Sequence, residues 1–323
     1  MDITVIGPGA VGTLLGGLLQ LKGHAVTLRG RKPPADTSRG LRVILPARWL
    51  LVEGINNEGP EGPPGAAQAH LVTLGRQHLH AVRRPDLLRI IGAEDTPVAV
   101  FNCDPAEPER LAIPTGRLRL CLSLMSAVKL QEGEVELTET KPHVIYERSK
   151  PLAKLFGDLS SFGFQSTPVD DARPYLNSLL VSQLLFLPAA MCNTTIPCFL
   201  ASAQGRELAR AMLGEGFAAM ERAAMPLATL PAMDPVELMM RLEKKPDSFE
   251  EALLRPSRSY NSVLQAYLRG RPLEAEHLNK KVVEIASSAG LHLTWNWRIL
   301  QKASRVASLG FYRDPAELLK ALA

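Results

Sequence analysis

The chain has 323 residues, of which 46% are hydrophobic and 22% are charged, a balance typical of globular proteins. A single compact core rarely extends over so long a chain, so we expect two domains. The net charge of +4 is small for this length and argues against a nucleic-acid partner, although it allows a local basic pocket for a phosphate.

The four cysteines, Cys103, Cys121, Cys192 and Cys198, form no C-x-x-C pair and have no histidine cluster beside them. We therefore expect reduced cysteines and no bound metal. The N-terminus lacks a basic segment of the kind that precedes a signal sequence. Every apolar run of about 18 residues is interrupted by Gly, Pro, polar or charged residues. These features predict a cytoplasmic protein without a membrane partner.

In the first half of the chain, predicted strands alternate with helices. An apolar strand at residues 3–6 leads into a glycine-rich turn and a helix, and residues 24–28 form the next strand. The segment from 30 to 65 holds two weak strands, LRVIL and WLLVEGI. Further strands are predicted at 69–74, 97–102, 117–125 and 143–148, followed by a helix at 150–164 and a connector at 165–171. The near-continuous apolar strands indicate a mostly parallel sheet covered on both faces, which is a Rossmann-type α/β domain over residues 1–168.

The remainder of the chain reads as helical. Helices are predicted at residues 174–191, 204–224, 235–245, 259–269, 274–289 and 313–322. The first of them is apolar almost all round, with Gln183 among Leu, Val and Phe and with Pro188 as an interruption, so we expect it to lie in a core. The pattern predicts an all-helical C-terminal domain over residues 169–323, to which we assign substrate binding and dimerisation.

The segment IGPGAVG gives the spacing Gly7-x-Gly9-x-x-Gly12 between a strand and a helix. The first glycine permits a tight turn, the second lets the backbone approach a pyrophosphate, and the third lets the helix pack close to the sheet. The N-terminus of the helix offers unpaired N–H groups to an anion. The turn therefore predicts a dinucleotide site formed by Gly7, Gly9, Ala10, Val11 and Gly12.

The second strand ends in TLRGRKP, where a site for NAD would place an acid that binds both ribose hydroxyls. We find Arg29, Arg31 and Lys32 there instead. Guanidinium groups suit a 2′-phosphate, so Arg29 and Arg31 favour NADP(H) as the cofactor. The alternative is a solvated basic loop.

The opening MDITVIGPGAVGTLLGGLLQLKGH, followed by a helical second half, resembles the ketopantoate reductase (2-dehydropantoate 2-reductase) family, and the likeness extends along most of the chain. The segment RSYNSVLQAYLRGRPLEAEHLN is similar to that family's C-terminal signature of a Ser and, 12 residues later, a Glu. The resemblance implies that Asn102 contacts cofactor and substrate, that Ser262 hydrogen-bonds the substrate, and that Glu274 is the acid near the reacting carbonyl. It also implies hydride transfer from NADPH to the ketone of a 2-keto acid or a related carbonyl compound.

The residues support part of this assignment independently. Ser262 and Glu274 are too far apart for one uninterrupted helical face, and the RGRP segment between them allows two helices to present the pair to one cleft. The alternative for Glu274 is a charge at the start of a helix, stabilised by the helix dipole.

The sequence departs from the family at the position of its proton donor. In the family, the first long helix of the second domain carries a Lys followed at four-residue steps by two Asn. Without gaps these positions are Gln183, Leu187 and Met191 here, and Asn193 replaces one Asn only after a local shift. An amide cannot deliver a proton near neutral pH, and loss of a general acid typically costs about 10²–10⁴-fold in rate. Leu187 and Met191 further predict an apolar pocket wall.

Three interpretations stay open, and an enzyme is favoured in two of them. The first is an NADPH-dependent reductase of this family in which Glu274, Arg76 or Lys280 supplies the proton. The second is a reductase of a more apolar carbonyl compound. The third is a nucleotide-binding or regulatory protein without catalysis. In each, the partner is a small molecule, a homodimer is the assembly considered, and turnover of ketopantoate is expected to be weak or absent.

Overall fold

The structure is a computed structural model. It describes residues 1–30, 40–59, 67–74, 79, 84–92, 95–104, 110–111, 113–138, 141–244, 249, 262–268 and 274–323, with the backbone alone at 84–85, 262, 266, 274–276, 304–305 and 307–309. The chain divides into two compact units, Met1–Arg173 and Pro174–Ala323.

The first unit, the α/β unit, contains twelve described strands in two sheets. The strands are β1 (Asp2–Ile6), β2 (Ala25–Arg29), β3 (Leu41–Leu45), β4 (Arg48–Val52), β5 (Asn56–Glu58), β6 (Ala69–Val72), β7 (Val98–Phe101), β8 (Leu118–Leu124), β9 (Ala127–Gln131), β10 (Glu134–Leu137), β11 (His143–Glu147) and β12 (Gln165–Val169). The large sheet has the order β12-β11-β8-β7-β6-β1-β2-β5, and all neighbours are parallel except β8 and β11. The prediction of a mostly parallel Rossmann-type sheet is confirmed.

The helices whose full extent the structure describes in the α/β unit are α1 (Ala10–Leu21), α2 (Arg84–Ile91) and α3 (Lys150–Asp158), and a short 3₁₀ turn follows α3. The central strands β6 and β7 are buried at every residue, as expected for strands with both faces covered. Leu14, Leu15, Leu18 and Leu19 of α1 are fully buried, because an apolar stripe with helical spacing faces the sheet. This packing fixes the N-terminus of α1 beside the carboxyl end of β1.

Two predictions for this unit are wrong. Residues 165–171 do not form a simple connector, because 165–169 are the edge strand β12, and the predicted domain boundary at 168 therefore falls inside a strand.

The strands β4, β3, β10 and β9 form a second, four-stranded sheet in that order. LRVIL is indeed a strand, but nothing in its sequence pattern indicates that it pairs in parallel with a strand as distant as β10.

The second unit, the helical unit, contains only helices among its described elements, as predicted. They are α4 (Arg173–Ser182), α5 (Phe186–Met191), α6 (Ile196–Ala201), α7 (Ala203–Arg222), α8 (Pro235–Lys244), α9 (Ser262–Leu268), α10 (Glu274–Ser288), α11 (Thr294–Leu309) and α12 (Pro315–Leu322). Helices α6 and α11 have no counterpart among the predicted helices. A single 3₁₀ turn, Gln183–Leu185, separates α4 from α5.

The apolar segment Arg173–Met191 is long and apolar enough to cross a membrane by composition. However, 83% of its most apolar window is buried inside the protein. From Leu180 onward its buried apolar side chains belong to the core of the helical unit, which also includes residues of α7, α10 and α11. This agrees with the prediction of a core helix.

His70 of β6 makes the stability of the α/β unit depend on pH. Burial lowers its pKa from 6.5 to about 4, and the cations Arg117 and Arg29 add to the effect. An unfolded chain binds a proton at this residue below about pH 6.5 and the folded chain does so only near pH 4, so stability falls as the pH falls between these values.

We expect His70 to account for a loss on the order of 3 kcal/mol between pH 6.5 and 4. The variant His70→Gln should therefore show a smaller dependence of its unfolding free energy on pH, whatever its stability at pH 7.5. Urea unfolding of both proteins across this range measures the difference. Equal slopes would contradict the assignment. His24 and His143, whose pKa values burial also lowers, remain in both proteins and cancel in the comparison.

Candidate functional site

The glycine turn begins directly after β1 and has the geometry that its spacing predicts. Gly7 has a φ of +89°, a conformation that favours glycine, and its N–H donates to the carbonyl of Arg29 at the end of β2. A Cβ on Gly7 would lie 2.6 Å from a side-chain carbon of Leu74. The turn therefore requires glycine at this residue for both its conformation and its packing.

Gly12 and Gly9 face different surroundings. A Cβ on Gly12 would lie 2.2 Å from Oγ1 of Thr73 and 2.6 Å from the carbonyl oxygen of Gly7, whereas a Cβ on Gly9 would meet no atom of the described residues within 4 Å. Thr73 itself donates from Oγ1 to the carbonyl oxygen of Gly7 at 2.7 Å. Gly12 thus serves the approach of helix to sheet, and Gly9 leaves open space above the turn. Thr73, which is not among the predicted site residues, follows β6 and holds the turn from the adjacent strand.

The N-terminus of α1 is open to an anion. Gly9 is the N-cap residue, no side chain caps the helix, and its first turn has no acidic residue. Gly9 is exposed, while Ala10 and Val11 are partly exposed. The first N–H groups of a helix have no partner within the helix, so this surface can receive a negatively charged group. The residues present fit the pyrophosphate of a dinucleotide, which Gly7, Gly9, Ala10, Val11 and Gly12 would hold.

Arg29 does not have the surroundings that the sequence analysis expects. Its side chain is only 2% exposed, and its guanidinium nitrogen Nη2 forms an ion pair with Oε2 of Glu58 at 2.5 Å. A ligand cannot contact a group that solvent cannot reach, so the expectation that Arg29 receives a 2′-phosphate needs correction. Arg31 lies outside the described residues.

An acid therefore does lie beside the end of β2, although none is present in the segment that immediately follows it. Glu58 is the last residue of β5, which pairs in parallel with β2 and aligns Glu58 with Arg29. β5 has three residues, all polar, so no apolar periodicity marks it as a strand. The sequence pattern therefore gives no signal for Glu58.

Asn102 lies directly after β7, with a φ of +49°. Its Nδ2 donates to Oγ of Ser123 at 2.9 Å, and its Oδ1 accepts the N–H of Ser123 at the same distance. Ser123 of β8, which is not among the predicted site residues, therefore fixes the amide. Asn102 is partly exposed, and its contact with cofactor and substrate stays a prediction.

Gln183 is the first residue of the 3₁₀ turn between α4 and α5. It is partly exposed, and its Oε1 is buried without a hydrogen-bond partner among the described residues. The break has a chemical cause, since Pro188 has no N–H to donate to the carbonyl of Leu184, four residues earlier. Nδ2 of Asn279, from α10, donates to that carbonyl at 3.3 Å instead.

The other two positions expected to match the family's asparagines lie in a core. Leu187 and Met191 are fully buried in the apolar cluster of the helical unit, so the prediction that they form a pocket wall is wrong. Asn193 is exposed, has a φ of +49° and follows the last turn of α5. Its N–H donates to the carbonyl of Ala190, as expected of a residue that ends a helix in the left-handed conformation.

A buried polar network supports the same part of the helical unit. Asn279 also donates to Oδ1 of Asn296 at 3.0 Å, and both side chains are fully buried. Glu215 of α7 accepts the backbone N–H groups of Trp295 and Asn296 at the start of α11, as well as Nδ2 of Asn296. Glu215 thereby replaces a cap for α11, whose N-cap residue, a leucine, has no oxygen in its side chain. Three helices are thus held together at the break beside Gln183.

Ser262 begins α9 and Glu274 begins α10, so the two-helix arrangement expected from RGRP is present. Their side chains lie outside the described residues, as does the whole of Arg76. Lys280, the other candidate cation, forms an exposed i,i+4 ion pair with Glu284. The roles of Ser262 and Glu274 stay predictions.

As far as the structure describes them, the predicted site residues form no metal site and do not line the open cavity of the helical unit. Within the part of the chain that the structure describes, no group of three or more His, Cys, Asp or Glu residues could hold a metal ion. An open cavity of about 710 Å³ in the helical unit lies between the end of α11 and α12, where Tyr312, Arg313 and Lys320 contribute to its lining. No predicted site residue whose side chain is described lines this cavity.

These features define a Rossmann-type α/β protein with an open glycine turn and an all-helical second unit. The chain belongs to the ketopantoate reductase PanE/ApbA family, because the model of that family matches residues 3–147 and the model of its C-terminal part matches residues 180–307. The family is one of oxidoreductases. No curated protein sequence matches this chain significantly.

Solved structures share the fold at low sequence identity. A PanE/ApbA family ketopantoate reductase from Ralstonia eutropha JMP134 superimposes with a TM-score of 0.78 at 18% identity, over 95% of this chain and 98% of the other. A D-mandelate dehydrogenase solved with NADH and anilino(oxo)acetate gives 0.78 at 13% identity, over the same shares. The 2-dehydropantoate 2-reductase from Methylococcus capsulatus gives 0.73 at 17% identity, over 95% and 98%.

Proposed function

We propose that the protein is a nicotinamide-dependent oxidoreductase that reduces the ketone of a 2-keto acid or a related carbonyl compound to an alcohol. The observation that carries the proposal is the open turn at Gly9 in a chain of this family, since a dinucleotide needs that approach to the backbone. Two similar structures support the substrate class. One is a 2-dehydropantoate 2-reductase, and the other is a D-mandelate dehydrogenase that was solved with a compound carrying an oxoacetate group.

The bound nicotinamide would supply the hydride. The protein would bind and orient the cofactor and the substrate, and it would protonate the alkoxide oxygen. Asn102, fixed by Ser123, would present its amide at the carboxyl end of β7. Ser262 would hydrogen-bond the substrate, and Glu274 would hold or relay the proton that the alkoxide oxygen needs. Gln183 can polarise a carbonyl through its N–H groups, but an amide is too weak an acid to transfer a proton near neutral pH. Catalysis is therefore expected to be slower than with a lysine at this position.

A second candidate is a nucleotide-binding or regulatory protein that has lost catalysis, and the identity of Gln183 favours it. The interpretation as a reductase of a more apolar carbonyl compound loses its support, because Leu187 and Met191 are core residues. A preference for NADPH, expected from Arg29 and Arg31, now depends on Arg31, since Arg29 is buried against Glu58.

Two measurements test the proposal in sequence. Titration with NADH and with NADPH, followed by thermal shift and fluorescence, should show binding of at least one of them. A screen for cofactor oxidation over 2-keto acids, with ketopantoate and apolar ketones included, should then identify a turned-over 2-keto acid, with ketopantoate reduced weakly or not at all. Binding without turnover would favour the second candidate, and binding of neither nucleotide would refute both.

A further inference from the structure

We infer that Glu58 determines the cofactor preference of this protein, by binding the adenosine ribose through its carboxylate and thereby favouring NADH over NADPH. The inference rests on the proposed function and specifies one residue of its site. NADPH differs from NADH by a 2′-phosphate on the adenosine ribose. We assign the recognition of this ribose to Glu58, an acid on β5.

The first argument is position. β1, β2 and β5 are parallel neighbours, and Arg29 and Glu58 are the aligned last residues of β2 and β5. The N–H of Gly7 donates to the carbonyl of Arg29, so the glycine turn and Glu58 lie at the same carboxyl edge of the sheet. Dinucleotide-binding sheets place the acid for the ribose hydroxyls at the end of β2. Here that place is occupied by Arg29, and the acid comes from one strand further along the sheet.

The second argument is the order of charges from inside to outside. The Arg29 side chain is 2% exposed, whereas the Glu58 side chain is 36% exposed. The cation is therefore the inner partner and the carboxylate is the outer one. Oε2 of Glu58 accepts from Arg29, while Oε1 takes part in no hydrogen bond with the rest of the described chain. The surface that a ligand meets at this pair is thus an anionic acceptor held in place by a buried guanidinium.

The third argument is the chemistry of the two cofactors. A carboxylate oxygen accepts hydrogen bonds from the ribose hydroxyls of NADH, as the acid of NAD-binding sheets does. A 2′-phosphate in the same place carries negative charge and no hydroxyl donor, so it would be repelled. The pair therefore selects against NADPH even though arginine is the residue that the sequence shows at the end of β2.

The experiment measures dissociation constants of NADH and NADPH for the full chain and for Glu58→Gln, with isothermal titration calorimetry as the readout. ADP-ribose and its 2′-phosphate serve as ligands without a nicotinamide. We expect the wild type to bind NADH at least 10-fold more tightly than NADPH. In Glu58→Gln this ratio should fall at least 10-fold, because the carboxylate is lost and Arg29 keeps its charge.

Glu53→Gln is the matched control, since it removes the same charge from an exposed residue of the same unit and should leave the ratio unchanged. If Glu58→Gln does not fold because Arg29 loses its partner, the double variant Arg29→Met with Glu58→Gln removes both charges, and its ratio should approach one. A wild type that prefers NADPH, or a ratio unaffected in the folded variant, would overturn the inference and leave the proposed function intact. Absence of binding of either nucleotide to the wild type would instead refute the proposed function.

Discussion

Gly9→Ala is expected to weaken the binding of the nicotinamide cofactor by at least 10-fold while leaving the stability of the α/β unit unchanged. The backbone of Gly9 is extended, with φ −69° and ψ −167°, so alanine adopts it without strain. Among the residues that the structure describes, the new methyl group would contact no atom within 4 Å. It would instead occupy the space in which a pyrophosphate approaches the turn.

Gly12→Ala should instead lower the stability of the α/β unit, because its methyl group enters the packed junction of α1 and the sheet. Thr73 can rotate away, but the carbonyl oxygen of Gly7, 2.6 Å from the new Cβ, belongs to the backbone. We expect a loss of about 1–3 kcal/mol in unfolding free energy. Thermal unfolding by circular dichroism and titration with NADH and NADPH distinguish the two variants.

Gly157→Ala is a suitable control for both glycine variants. Gly157 lies in α3 of the same unit, is exposed, and has open space where a Cβ would be. Alanine is favoured over glycine by up to roughly 1 kcal/mol in a helix interior and by less in the last turn, where Gly157 lies, so this variant should be no less stable and bind the cofactor normally. A Gly9→Ala protein that binds as the wild type does would show that the open space at Gly9 is not part of the site.

Gln183→Lys is expected to raise the rate of 2-keto acid reduction by about 10²-fold, since a positioned general acid contributes roughly 10²–10⁴-fold. Gln183 is partly exposed and begins a 3₁₀ turn, so an ammonium group can be accommodated there with access to water. Steady-state kcat and KM should be measured with the substrate that the screen identifies. The increase should appear in kcat, because proton delivery acts in the chemical step.

Gln183→Met is the control for this substitution, because it keeps the length of the side chain and removes its amide without adding a charge. It should show no gain. The gain in Gln183→Lys should also decline at high pH, as the new ammonium loses its proton, whereas the residual rate of Gln183→Met should lack this decline. If Gln183→Lys binds the cofactor but reduces no faster than the wild type, then position 183 is not equivalent to the lysine of the family.

The glycine turn and the two-part architecture could be predicted because they depend on local patterns. A strand, three spaced glycines and an apolar helix follow one another within residues 2–21, and each is a short-range signal. Ser123 and Thr73 escaped prediction because their partners, Asn102 and Gly7, are 21 and 66 positions away. Hydrogen bonds between distant residues leave no pattern in a single sequence.

Other errors have local causes. β12 contains Pro168, which suggests a connector, but proline is tolerated in an edge strand and β12 is the edge of the large sheet. Four-residue steps from Gln183 predict that Leu187 and Met191 lie on a pocket wall. The 3₁₀ turn at Gln183–Leu185 changes the helical phase, and burial shows that both residues face the core.

The pairing of β3 with β10 means that β3 has to wait for its partner strand while the chain is being synthesised. These parallel strands join residues about 90 positions apart, so the hairpin of β3 and β4 leaves the ribosome long before its partner exists. Trp49 and Leu51 of that hairpin are exposed even in the finished sheet. During synthesis the nascent chain therefore presents an incomplete apolar strand edge, and this interval is when we expect it to depend most on chaperones.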